Sequence, residues 1–449
     1  MSEGFESQLR DHLASVDSAP VTGSGAMAAA VARATRRMHR RRRAAFAVAS
    51  VVVVATVGIV VWSTRHDSSG LVVSGVDSTP LIAPEVTRTT AAPSTTTAFV
   101  PANGWVTLPA DPRGAPFAPF VVWTGHEAIS VGGFDAKNAP VAGASAYDPV
   151  AGTWRTIANP PNGWDRVNAL VVWTGTKMLI IGGQTPDGLQ PMQSAIAYAP
   201  AADAWTIASP PCGSLSNRTP SAWTGTELLA WPLDTGCASL SSTPVAYNPT
   251  TNTWRELAKP PIVSRDRGAS VWTGTEWIVW GGSTVKEEVG DGAAYNPSTN
   301  TWRVLATSPL SPRRVRAVWT GTEMLMTAGS SGGDRQTGNN EMALGDGAAY
   351  NPTTDTWRSI ASGPGHPGFA PLWTGRQMIM FAKQSAFVYD NTTGQWIDNC
   401  CDETDAMGSQ SGNAPVWTGS IMLLIGSAGP TIGGAAFTPP APVAPTSTT

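Results

Sequence analysis

The chain has 449 residues, of which 42% are hydrophobic and only 14% charged, with 46 glycines, 37 prolines and a net charge of −3. Sparse charge beside abundant Gly and Pro fits many short strands and turns, and a mildly acidic balance without exposed basic helices argues against nucleic acid as a partner. The small net charge conceals an asymmetry, because residues 1–62 carry eight Lys/Arg against four Asp/Glu and the remainder carries 21 against 28.

In chain order, Phe5, Leu9, Leu13 and Val16 recur at helical spacing and define a short amphipathic segment that Ser18 to Gly25 breaks. Arg33, Arg36 and Arg37 follow, then Arg40 to Arg43. Residues 44–62, AAFAVASVVVVATVGIVVW, carry no charge and are long enough to cross a hydrocarbon core of about 30 Å as a helix. The positive-inside rule then predicts a cytoplasmic basic tail over 1–43, a single transmembrane helix over 44–62, and everything beyond it outside the cell membrane. Ser63-Thr64-Arg65-His66 offers no small-x-small cleavage site, so the span reads as a retained anchor and not as a signal peptide. The layout resembles the cytoplasmic ends of actinobacterial membrane proteins, some of which are anti-sigma factors. That resemblance implies a cytoplasmic protein partner for residues 1–43, although their lack of cysteine excludes the zinc-binding form of such a domain. A membrane-surface helix with arginines that set orientation is the plainer reading.

Residues 63–102 are dominated by Ser, Thr, Pro and Ala, a composition that buries too little apolar surface to fold and predicts a disordered stalk. Sugar attachment to its hydroxyls is an open expectation. Residues 441–449 read as a similar tail.

Residues 103–440 are organised by a repeat. Trp-Thr-Gly begins at Trp123, Trp173, Trp223, Trp272, Trp319, Trp373 and Trp417, in steps of 50, 50, 49, 47, 54 and 44 residues. Such a period marks stacked or radial architectures. Within each unit a short apolar run meets Trp-Thr-Gly, a second run follows, then a variable loop, Ala-Tyr-Asn-Pro or a variant, a turn and a Trp-led run. This order predicts four short antiparallel strands. All six tyrosines fall at one repeat position, with Phe437 in the seventh, and 14 of the 19 tryptophans fall at two others. The seventh unit stops at Phe437 without its Trp-led strand, while an orphan copy around Trp105 precedes the first unit. The expectation is an all-β, seven-bladed propeller in which that segment pairs with the strand around Phe437 and removes two exposed edges.

On these residues the chain resembles the kelch-type propellers of the galactose oxidase superfamily, whose units carry a diglycine after the second strand, Tyr-x-Pro and a Trp in the fourth strand. Gly132-Gly133, Gly182-Gly183 and Gly281-Gly282 keep the diglycine; Pro232-Leu233, Ala328-Gly329, Ala382-Lys383 and Gly426-Ser427 depart from it. The copper chemistry of galactose oxidase needs histidines and a Tyr linked to Cys. Here the outer region has only His126 and His366 apart from His66, and every tyrosine is committed to the repeat.

All four cysteines lie on the predicted outer side, where disulfides persist. Cys212 and Cys237 fall in two loops on one face of the third unit and are expected to pair. Cys400 and Cys401 are adjacent, and a vicinal disulfide, pairing with a partner, and free thiols all stay open.

Seven residues before each repeat Trp stand Pro116, Arg166, Ser216, Arg265, Pro312, His366 and Gln410, with Arg218, Arg267, Arg313, Arg314 and Arg316 nearby. Two readings are open: an anion-attracting funnel at the channel mouth, or arginines each paired with a local carboxylate such as Asp165 or Asp266. Trp164 occupies no repeat position, which makes it the leading ligand-contacting aromatic. Trp231, Trp280 and the methionines Met178, Met324, Met378 and Met422 read as core. No zinc spacing, sialidase box or phosphate loop occurs, and no cofactor is expected.

The sequence thus reads as a membrane-anchored extracytoplasmic binding or sensing module for a cell-envelope glycan or protein, with catalysis left open and with Trp164, Arg166, Arg265, Arg267, Arg313 and His366 as its contact set. An envelope enzyme acting on acidic sugars and a transmembrane regulator are the alternatives.

Overall fold

The computed structural model describes residues 104–440 apart from 115, 136, 138, 162–163, 187–189, 211–213, 234–242, 333–341, 364–370, 383–384, 398–413 and 427–432. The anchor and stalk expectations, all four cysteines and His366 lie outside these residues. Among those described, no helix is long and apolar enough to cross a membrane.

The described chain is a seven-bladed all-β propeller, seven four-stranded antiparallel sheets with a two-stranded ribbon, Ser330–Ser331 with Met342–Ala343, in the fifth. The first sheet sets the pattern, with Phe120–Trp123, Ala128–Val131, Ala144–Asp148 and Thr153–Ile157 in simple sequence order. The first strand of the first sheet lies beside Leu170–Trp173 of the second and Ala414–Trp417 of the seventh, and those of the third to seventh sheets lie side by side in turn. They therefore surround the axis.

Each first hairpin turns on Trp-Thr-Gly. The backbone bond from Thr124 N to Glu127 O (3.0 Å) leaves a two-residue loop whose first member, Gly125, has φ +99°, the conformation that a type II′ hairpin asks of glycine. The Thr124 hydroxyl accepts from Glu127 N at 3.0 Å and holds the turn from inside.

Second strands such as Met178–Ile181 and Met422–Ile425 are buried along their whole length. Every sheet packs on both faces, so these strands read as continuous apolar runs instead of alternating ones. The core is accordingly distributed between sheets. One cluster joins Ile129 and Ala146 of the first to Met178 and Tyr198 of the second. Trp231 and Trp280 are core, as are all four repeat methionines.

Trp105–Thr107 pairs antiparallel with Gly434–Phe437, Trp105 opposite Phe437, in the register that sets Trp154 opposite Tyr147. The rings of Trp105 and Phe437 lie 4.8 Å apart, against 5.1 Å for Trp154 and Tyr147. The equivalence extends to the next sheet. Trp205 donates its indole N–H to Ala158 O, four residues past Trp154 (2.7 Å), and Trp154 donates to Pro109 O, four residues past Trp105 (2.9 Å).

Candidate functional site

Two ends of the propeller differ in chemistry. At the end carrying the Trp-Thr-Gly turns, a glutamate just after the turn pairs with the arginine after the fourth-strand Trp: Glu127 with Arg155 (2.6 Å), Glu227 with Arg255 (2.6 Å), Glu276 with Arg303 (2.7 Å) and Glu323 with Arg358 (2.7 Å). The other sheets replace both members together, with Lys177 and Thr206, Gln377 and Ile397, and Ile421 and Val106. Arg303 also donates to Tyr350 Oη of the next sheet (2.9 Å), and Tyr350 donates to Asp355 (2.6 Å). Burial and the Asp355 bond raise Tyr350 to about 12, while the Tyr350 hydroxyl and Ala306 N–H hold the Asp355 carboxyl below its ordinary value. In the second sheet Asp203 likewise accepts from Tyr198 Oη (2.6 Å), and in the third and fourth Asn252 and Asn300 accept the equivalent tyrosine hydroxyl at 2.7 and 2.8 Å. These networks staple neighbouring sheets.

The opposite end carries the expected contact residues. Arg166, Arg265 and Arg313 are buried, at 6%, 0% and 1% exposure, and turn inward onto their own sheets. Arg166 Nη1 donates to Gly182 O (2.7 Å) and Ser194 O (3.1 Å); Arg265 Nη1 to Gly281 O (3.4 Å) and Asp291 O (3.0 Å); Arg313 Nη1 to Ala328 O (3.3 Å) and Asp346 O (3.5 Å). These are equivalent carbonyls, flanking the loop between second and third strands. The first sheet meets the same need with Arg113, whose Nη1 reaches Gly132 O (3.0 Å) and Gly143 O (3.3 Å) from a site three residues earlier. Arg113 escaped the sequence reading because no repeat alignment superposes it on the others. Arg313 was one residue out of line for a similar reason: the fifth unit is a residue shorter before its Trp, so Arg313, and not Pro312, matches Arg166 and Arg265.

The carboxylate partners also differ from those expected. Arg265 pairs with Asp291 (2.7 Å) and Arg313 with Asp346 (2.6 Å), neither with Asp165 or Asp266. Arg313 keeps the Asp346 carboxyl below its usual value. Arg166 donates to the Ser194 hydroxyl at 2.9 Å where those two meet a carboxylate, and burial lowers its pKa to about 10. It remains a cation at neutral pH.

The second glycine of the diglycine belongs to the same construction. A side chain on Gly133 or Gly183 would stand 2.7 Å from Phe117 O or 2.6 Å from Val167 O. Gly329 has the same relation to Arg314 O, so the fifth sheet keeps the glycine that close approach demands although its partner is Ala328.

Trp164 lies half-buried with its ring 3.9 Å from the Arg166 guanidinium carbon. The stacked pair lines a cleft of about 160 Å³ between the first and second sheets. Phe120, Phe134, Pro140 and Pro160 supply its apolar wall, and Asn159 and Asp165 its exposed polar groups. An aromatic wall with a few convergent polar groups is the usual composition of a small-ligand site.

Nearer the axis, Arg267 is half-buried and Arg316 exposed. Arg316 Nη2 donates to Asn217 O of the third sheet at 3.3 Å. Protein surrounds this guanidinium although water reaches it, and that desolvation, with the like charge of Arg267, lowers its pKa. His126 is exposed in its hairpin turn. Among the described residues no group of three or more His, Cys, Asp or Glu could hold a metal ion. No protein-family model matches the chain, and no curated protein matches it.

Proposed function

We propose that the chain is a membrane-anchored, extracytoplasmic binding module that takes a glycan in the cleft between its first two sheets. The single observation that carries this reading is Trp164, an indole outside the repeat, fixed by stacking at 3.9 Å on a buried arginine and left half-open to a cleft. A sugar ring offers an apolar face to such an indole, and its hydroxyls meet Asn159 and Asp165. Recognition then rests on a rigid ring with no covalent step. The anchor, residues 44–62 behind Arg40 to Arg43, is supported by hydropathy and charge alone. Kinship with kelch-type propellers is supported by the Tyr-x-Pro and diglycine positions, and closure of the ring through its N-terminal strand by the pairing of Trp105 with Phe437.

The contact set narrows accordingly. Arg166 contributes by holding Trp164, while Arg265 and Arg313 hold their own sheets together. The test is binding of the full-length protein to a panel of cell-envelope glycans, before and after Trp164→Ala. At least a tenfold loss of affinity is expected for the glycan retained, with cooperative unfolding preserved and a modest fall in melting temperature, since the indole also packs on the core between the two sheets. Equal retention by the variant overturns the reading.

A further inference from the structure

Arg113, Arg166, Arg265 and Arg313 serve equivalent pairs of carbonyls, and all but Arg166 also hold a carboxylate. Asp291 and Asp346 answer Arg265 and Arg313 from the very residue whose carbonyl is bound. In the first sheet that residue is Gly143, and Asp111 supplies the acid instead, its side chain 1% exposed and 2.8 Å from Arg113 Nη2. In the second sheet it is Ser194, and no carboxylate among the described residues stands in for it. Asp165 adjoins Arg166 in the chain but is exposed and forms no ion pair with it.

The missing acid leaves one edge of the guanidinium incomplete. Arg113 shows what that edge holds, because its Nε and Nη2 fork onto the two oxygens of Asp111 at 3.2 and 2.8 Å. Arg265 and Arg313 turn Nε to the carbonyl two residues earlier, Val263 O and Ser311 O, both at 3.0 Å. Arg166 does neither. Its Nη1 is taken by Gly182 O and Ser194 O and one Nη2 hydrogen by Ser194 Oγ, while Nε is buried with no partner. A buried donor of a charged group that makes no bond costs stability until something brings an acceptor. The residue two positions earlier is Trp164, and both side chains line the cleft.

We infer that the ligand of this cleft carries a carboxylate, which takes on Arg166 the place that Asp111 has on Arg113, and that the glycan is therefore an acidic one with a hexuronic acid residue on Trp164. The inference deepens the glycan-binding reading and rests on it. In a hexuronic acid the carboxylate is bonded directly to the ring, so a ring laid on an indole 3.9 Å from the guanidinium carbon brings that group within reach of the same cation. Trp164 is half-buried, and a shift of its side chain admits the carboxylate to the Nε edge. Asp165 is the other ionisable group on the wall; it is exposed, so water and salt screen its repulsion, and its oxygens accept from ring hydroxyls. An anion offsets the desolvation of the buried arginine, so an acidic ligand stabilises the fold more than a neutral one.

The experiment is calorimetric titration of the full-length protein in non-ionic detergent with methyl glucuronide and methyl glucoside, which differ only in a carboxylate against a hydroxymethyl group, and with acetate, which has the carboxylate and no ring. Methyl glucuronide should bind about tenfold or more tighter than either and raise the melting temperature further. Ser194→Asp is the decisive variant, because it places a carboxylate where Asp291 and Asp346 stand: it should melt no lower than the parent and lose the preference for glucuronide over glucoside. Arg166→Lys, which keeps the charge without the fork, should lose most of that preference too. Equal binding of the two glycosides, both weakened in Trp164→Ala, overturns the carboxylate site and leaves the glycan reading standing. Equal binding of acetate and methyl glucuronide overturns the assignment to a sugar. No binding of methyl glucuronide, or an undiminished preference in Ser194→Asp, also overturns the inference; a glycan from the panel that still depends on Trp164 would then keep the binding module without its acidic ligand.

Discussion

Arg265→Ala separates a structural arginine from a ligand-binding one. The side chain has no exposed surface, and its guanidinium donates to Val263 O (3.0 Å), Gly281 O (3.4 Å), Asp291 O (3.0 Å) and Asp291 Oδ1 (2.7 Å). Truncation strands these acceptors unequally. Asp291 O keeps the bond from Gly281 N (3.0 Å), and the Asp291 side chain is 47% exposed, so its carboxylate rehydrates and contributes little. Gly281 O loses a buried donor, for about 1–3 kcal/mol, and the space left by the buried side chain, whose guanidinium carbon lies 5.8 Å from the Trp231 ring centre, adds a packing loss. The expected cost is about 3 kcal/mol, at the lower edge of that for breaking a buried ion pair. Urea unfolding followed by tryptophan fluorescence measures it, with Arg155→Ala as the reference, since the Arg155 side chain is 48% exposed and should cost less than about 1 kcal/mol. Arg265→Lys should not restore the loss, because one ammonium cannot serve both Val263 O, which Nε reaches, and the acceptors that Nη1 reaches. A destabilisation of Arg265→Ala no larger than that of Arg155→Ala would refute the assignment of the buried arginines to their sheets.

Trp105→Ala should be among the costliest substitutions in the propeller, about 3–5 kcal/mol, because the indole packs 4.8 Å from Phe437 and 5.7 Å from Phe381. A midpoint shift in urea equivalent to less than about 1 kcal/mol would contradict its place in the seventh sheet. The Asp203 carboxyl is lowered first by the Ala158 N–H and then by the Tyr198 hydroxyl, and that of Asp355 first by the Tyr350 hydroxyl and then by the Ala306 N–H. A lowered folded pKa adds stability that is present above the unfolded value of 3.8 and lost as pH falls through the folded one. The double variant Asp203→Asn, Asp355→Asn should therefore fold, as Asn252 and Asn300 hold the same turn with an amide, but melt somewhat below the parent at pH 7. It should also show a shallower decline below about pH 4; melting curves across pH 2–7 that superpose on the parent's would disprove the linkage.

The aromatic repeat was legible because each tyrosine or phenylalanine faces a tryptophan across one strand pair, a relation that recurs with the period. The glutamate and arginine staples could have been read the same way, since Glu127 and Arg155 have both been replaced wherever either has, as in Lys177 and Thr206. The buried arginines were not legible. Their acceptors are backbone carbonyls, which every residue possesses and which therefore leave no mark in a sequence. Asp291 and Asp346 were missed in favour of Asp165 and Asp266 because the correct partners lie across a loop, 26 and 33 residues from their arginines.

Period, turn chemistry and apolar runs belong to the chain itself, because each depends on neighbours a few residues apart: glycine after Trp-Thr, a buried second strand, an indole opposite a phenol. Which cations face a ligand and which serve a carbonyl is a matter of where loops from different sheets meet. Arg265 and Arg267 are two residues apart, yet one is sealed inside its sheet and the other is half-buried in a loop whose backbone is bonded to the sheets on both sides. Only the folded ring brings those groups together, because the distance that decides their role runs through space between sheets.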